Sequence, residues 1–178
     1  MPGDPRIYLL QRLVVRHVSE AERVDALFVE EAVLRLLDRV VASTARFRGA
    51  VARPLPVQGA GEVVDAVREL MARRFRESLS LADLGRRTGY SVFHLSRAFR
   101  QWTGLTLHAW QNRMRLLTAL ERVAEPGADL ADVALDLGYS SHSHFTAAFR
   151  QAFGVTPTAF RATATAGRVR ELAGRLRS

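Results

Sequence analysis

The stretch from Ser80 to Trp110, SLADLGRRTGYSVFHLSRAFRQWTGLTLHAW, returns in looser form from Asp129 to Phe160 as DLADVALDLGYSSHSHFTAAFRQAFGVTPTAF. An internal repeat constrains a fold more than any single motif, because each copy must close as the same small unit. Gly89 and Gly138 stand 49 positions apart, as do Tyr90 and Tyr139. Phe99 and Phe149, Arg100 and Arg150, Gln101 and Gln151, and Gly104 and Gly154 stand 50 apart. The second copy therefore carries one extra residue just after its glycine.

The shared positions are those that a helix–turn–helix needs. Gly89 and Gly138 can take a positive φ where one helix ends. Ser91 suits the N-cap of the next helix, and Ser140 or Ser141 suits it in the second copy. Leu95, Ala98, Phe99 and Trp102 recur at helical spacing as one apolar stripe, matched by Phe145, Ala148, Phe149 and Ala152. Gly104 and Gly154 close these helices. Two helices presented by one short chain suit a partner with a regular period, and duplex DNA is the candidate.

Charge points the same way. Among 178 residues the net charge is +8, and every basic residue is arginine. Residues 1–60 hold nine arginines against seven acids, whereas residues 61–178 hold 17 against 11. The repeat-bearing part is the basic part, as a phosphate-binding surface requires. The absence of cysteine excludes disulfides, thiol catalysis and thiolate metal sites. No run of twenty apolar residues and no basic leader with an apolar core is present, so neither a membrane helix nor a signal peptide is expected.

The coarse reading is all-α: two helix–turn–helix subdomains joined by a long linker helix and preceded by a helical N-terminal segment. Residues 1–44 read as two helices. The first carries Ile7, Leu10 and Val14 on one face, and the second begins at Ser19 or Glu20. In the second, Leu27, Leu34 and Val41 fall seven apart, with Val33, Leu37 and Val40 beside them, a face suited to helix–helix packing. Leu27, Leu34, Leu37 and Val41 are expected at a homodimer contact; the alternative is packing on the rest of the same chain. Residues 45–61, with Pro54 and Pro56, read as a linker. The spacing then predicts a helix over 62–76 with Val63, Val67, Leu70 and Met71 inward, and helices over 81–88, 91–103, 106–124, 130–137 and 141–153. Ser80 and Asp83 form a capping-box pattern, Asp129 opens its helix, and Thr156-Pro157 reads as N-cap plus N1 proline running towards Arg161. Residues 62–163 form the main domain, with units at 80–104 and 129–154, and residues 164–178 a basic tail. The 106–124 helix, about 27 Å long at its ordinary rise, could set two recognition helices about one DNA turn apart, roughly 34 Å.

No nucleophile elbow, phosphate-binding glycine loop or HExxH pattern occurs, so no enzyme, no catalytic residue and no cofactor is read. His142 and His144, two positions apart on a helix, point away from each other and cannot chelate one metal ion. His17 and His108 read as surface or packing residues.

The strings LADLGRRTGYSVFHLSRAFRQWTG and ADVALDLGYSSHSHFTAAFRQAFGVTPTAFR make the region from about Gly61 to Arg161 resemble the DNA-binding domain of the AraC/XylS family of bacterial transcription regulators. The resemblance implies that the helices beginning at Ser91 and Ser141 enter successive major grooves of double-stranded DNA. With helix geometry, it implies base contacts from Phe93, Ser96 and Arg97 in the first helix and from Ser143, His144 and Ala147 in the second. It implies phosphate contacts from His94, Arg100, Thr146 and Arg150, with packing as the alternative for His94. Arg97 can grip guanine O6 and N7 together, whereas Ala147 at the matching position has no hydrogen-bonding group. Arg73, Arg74, Arg76, Arg86 and Arg87 are further phosphate candidates or solvated arginines. Many family members carry an upstream sensor barrel. No β-rich stretch precedes this domain, so the chain reads as a short regulator or a piece of a longer one, with no small-molecule effector pocket evident. A cytoplasmic activator or repressor, acting with RNA polymerase, is expected. The rival is a helical adaptor that binds only protein, but a serine-and-arginine edge suits such an interface poorly.

Overall fold

Helices in this protein start and stop where side chains supply the missing backbone partners. In the computed structural model, which describes residues 14–15, 18–19, 24–47 and 60–177, the main elements are helices α1 (Ala26–Phe47), α2 (Ala60–Arg74), α3 (Leu81–Thr88), α4 (Val92–Thr103), α5 (Leu107–Ala124), α6 (Leu130–Asp136), α7 (His142–Phe153), α8 (Pro157–Arg161) and α9 (Ala166–Arg177). No strand occurs among the described residues. The Ser80 hydroxyl accepts from the Asp83 amide and the Asp83 carboxylate accepts from the Ser80 amide, closing the predicted capping box. Ser91, Asp129, Ser141 and Thr156 cap α4, α6, α7 and α8. Of the two candidate serines in the second copy, Ser141 is the cap.

Two boundaries differ from the sequence expectation. Val24 and Asp25 are not helical, so α1 begins at Ala26 rather than at Ser19 or Glu20. Asp25 explains the shift, because its carboxylate accepts from the Phe28 amide at 3.1 Å. The proposed linker is shorter than 45–61, since α1 runs through Phe47 and α2 starts at Ala60. Ile7, Leu10, His17, Pro54 and Pro56 lie outside the described residues.

The chain divides into two compact units. The first combines the described residues within Met1–Leu70 with Leu79–His108, and the second combines Met71–Ser78 with Ala109–Ser178. In the first unit, Leu27, Val63, Val67, Leu84, Leu95 and Phe99 are fully buried. Helix α1 packs against α3 in this core. Two neighbouring acids hold it there. Glu30 accepts the Leu81 amide at the start of α3. Buried Glu31 accepts the Leu107 amide at 2.8 Å and the His108 amide at 3.1 Å, both at the start of α5. Helix N-termini offer unpaired amides and a partial positive charge, so each carboxylate is compensated where it sits. Leu27, expected at a dimer contact, is thus a core residue of its own chain, and Leu34 is half buried, whereas Leu37 and Val41 are exposed. Trp102 departs from its predicted stripe and is 65% exposed, because the last turn of α4 runs beyond the core.

The second unit is built around Phe145, Phe149, Phe153 and Phe160, with Leu116, Leu120, Val133 and Leu137. Residues 166–177, expected as a tail, form α9, and Leu172 is buried in this core. Buried Gln111 and Arg115 of α5 reach back to the chain just after α2. The Phe75 carbonyl accepts from Gln111 Nε2 at 3.0 Å and from Arg115 Nε at 2.8 Å. The Glu77 carbonyl accepts from Gln111 Nε2 and Arg115 Nη2, both at 2.9 Å. Gly138 passes directly beneath this clamp. Its φ is +82°, and an added Cβ would lie 2.1 Å from the Arg76 carbonyl oxygen and 2.9 Å from Arg115 Nη2. Gly154 has a φ of +77° but open space around it. Gly154→Ala should therefore cost only the left-handed backbone penalty, about 1 kcal/mol, while Gly138→Ala adds a backbone collision and should cost at least about 3 kcal/mol. Urea unfolding of the two variants checks this, and equal losses would refute the clamp.

Candidate nucleic-acid interface

Each repeat brings its second helix to the surface by the same local steps. A positive-φ glycine ends the first helix, a serine caps the next, and the aliphatic or aromatic residue three positions into the helix enters the core. Leu95 and Phe145 are those residues, and both are fully buried. The opposite edge is then left outside.

On α4, Phe93 is 53% exposed, Arg97 and Arg100 are exposed, and Ser96 is half buried. Phe93 is thus a surface aromatic rather than a core residue. Arg97 and Arg100 lie one turn apart and form a positive edge. On α7, Ser143, Ala147 and Arg150 are exposed and Thr146 is half buried, its hydroxyl 3.5 Å from His142 Nε2. The structure therefore brings the predicted residues of each helix onto one accessible edge, with two histidines standing apart from the rest.

His94 stacks on Tyr90, ring centroids 5.5 Å apart and planes 12° from parallel, and its Nε2 is enclosed. Stacked in this way it packs against its own chain, one of the two roles expected of it. His144 meets Tyr139 edge-on at 5.5 Å, and its Nδ1 shares a 3.0 Å hydrogen bond with the Ser140 hydroxyl. The same pairing of histidine with the tyrosine that follows the glycine thus occurs in both copies. The sequence carried the signal, since Tyr90/His94 and Tyr139/His144 recur with the register of the repeat. Of the flanking arginines, Arg74 pairs with Glu77 at 2.7 Å and Arg86 with Asp83. Glu30, Glu31 and Arg115 were not singled out from sequence. Glu31 could have been, because a charge four residues after Leu27 and three before Leu34 sits on an apolar stripe.

Tyr139 anchors the second turn. Its hydroxyl donates to Asn112 Oδ1 at 2.8 Å, and Arg115 lies over its ring. Burial pushes its phenol above the ordinary tyrosine value, with the Arg115 charge opposing. The folded unit therefore holds this proton more tightly than the unfolded chain does. That stability is intact below about pH 10 and is lost as pH rises above it. Urea midpoints on either side of about pH 10 should accordingly fall less for Tyr139→Phe than for the unaltered chain, and parallel falls would contradict the assignment.

No group of three or more metal-ligating side chains gathers among the described residues, and none of their helices is long and apolar enough to cross a membrane. A family profile described as a helix-turn-helix domain matches residues 84–163. The probable transcription factor PqrA of Proteus vulgaris is 35% identical over 85 residues, covering 48% of this chain and 70% of that protein. The regulatory protein SoxS of Salmonella typhimurium is 30% identical over 100 residues, covering 56% of this chain and 94% of that one. Among solved structures, a transcriptional regulator with an AraC-type DNA-binding domain from Chromobacterium violaceum aligns with a TM-score of 0.54 at 28% identity, over 59% of this chain and 94% of that chain.

Proposed function

The chain belongs to the AraC/XylS family of transcription regulators, and from that premise we propose that it reads promoter DNA by inserting α4 and α7 into successive major grooves. The observation that carries this reading is the accessible Arg97–Arg100 edge on a helix that buries Leu95, Ala98 and Phe99 on its opposite face. Arg97 takes guanine in bidentate fashion, Phe93 presses on a thymine methyl, and Ser96 meets a base edge. On α7, Ser143 is the remaining polar base reader, Ala147 offers only apolar contact, and Arg150 holds phosphate, as Arg100 does on α4. The first helix therefore discriminates bases more sharply than the second. The protein acts on promoters in the bacterial cytoplasm, as an activator or repressor working with RNA polymerase and without a chemical step.

A second copy of the chain covers the exposed stripe of Val33, Leu37 and Val41 on α1. Leu37→Asp with Val41→Asp should then convert a dimer to a monomer in sedimentation, and a monomeric unaltered chain would dispose of the dimer.

Selection of bound sites from a random duplex pool, followed by fluorescence anisotropy, tests the main reading. Arg97→Ala should lose about 1–3 kcal/mol on the selected site and much less on random duplex. Arg150→Ala should weaken both alike and flatten the salt dependence by about one unit. Equal losses from Arg97→Ala on both duplexes would remove it from base readout.

A further inference from the structure

Helix α1 lies outside the region that the helix-turn-helix profile matches, which starts at residue 84. One of its arginines, Arg35, nevertheless comes within electrostatic reach of the first recognition helix. Arg35 and Arg39 follow Glu31 by one and two turns on one side of α1. Glu31 is pinned by both carboxylate oxygens to the start of α5, so this part of α1 is fixed against its own unit. Arg35 is half buried and lies within electrostatic reach of Arg100 on α4 and of Arg39. Burial most of all, and then Arg100 and Arg39, pull its guanidinium below the ordinary arginine value, while Glu31 opposes them. The Glu31 charge is already shared with two α5 amides. Arg35 thus feels two like charges, Arg39 on its own helix and Arg100 on α4, beside a carboxylate that is already engaged.

We propose that Arg35 and Arg39 join Arg100 in a phosphate-binding cluster that extends the duplex interface beyond the helix-turn-helix and grips the backbone flanking the bases read by α4. This rests on the DNA reading above. Arg100 stands one turn from Arg97, so the anion nearest the cluster, once Arg97 is in the groove, is the sugar–phosphate backbone. Duplex DNA carries a charge roughly every 1.7 Å, and a phosphate accepts paired hydrogen bonds from guanidinium. A phosphate also offsets the repulsion that Arg39 and Arg100 exert on Arg35 in the free protein.

The test is the salt dependence of the full chain on a duplex carrying its selected site. The slope of log affinity against log salt should fall by about one to two units in Arg35→Gln/Arg39→Gln, with the preference for the selected site over random duplex unchanged. Arg35→Lys/Arg39→Lys should restore most of the slope. Circular dichroism confirms that the glutamine variant folds. If it does not, the unaltered chain supplies the same answer. Trimming base pairs from one end of the duplex should lower its affinity and slope, and trimming from the other end should not. An unaltered chain that binds no duplex would end both the DNA reading and this inference. A chain that binds duplex with an unchanged slope in the glutamine variant, or that is indifferent to trimming at either end, would overturn this inference alone.

Discussion

A carboxylate taken out of water costs several kcal/mol unless something nearby replaces its hydration. In the first unit the replacement for Glu31 is the start of α5, where two amides have no partner within their own helix. The exchange is mutual, because the helix start also lacks acceptors. Glu30 repeats it at the start of α3. One dipeptide on α1 thereby fixes where two later helices begin, and α4 is suspended in the chain between them. The exposed edge of α4 inherits its position from this pair of acids as much as from its own core residues.

The second unit reaches a comparable geometry by the opposite chemistry. There the orphan groups are carbonyls at the end of a helix, and the compensating groups are cations and amides. Gln111 and Arg115 serve Phe75 and Glu77, and the Arg76 carbonyl between those two residues leaves room only for a glycine at Gly138. The two copies of the motif are therefore alike inside and differently supported outside. Their turns, caps and core residues repeat, while their supports do not.

That difference explains what could be read from the chain alone. Caps and turns depend on residues within four positions of one another, and Ser80, Ser91, Asp129 and Thr156 were all legible for that reason. The exposed edges of α4 and α7 followed from the helical period once the core stripe was known. Trp102 was misplaced because a period has no knowledge of where the core stops. Leu27 was assigned to a partner because an apolar face does not say which surface it meets, and the answer lay in Glu30 and Glu31, more than fifty residues from the amides they satisfy. The rings of His94 and His144 each meet a tyrosine across the turn, a contact that helical position alone does not reveal.

Arg97 and Ala147 occupy equivalent places in the repeat, yet only one of them carries a hydrogen-bonding group. Two such unequal readers, in fixed order along one polypeptide, give their target a head and a tail. A twofold-symmetric pair of identical readers would fit a palindrome equally well either way round. On the reading proposed above, each chain binds instead as an arrow, its direction along the duplex set by the order of the two sites it reads.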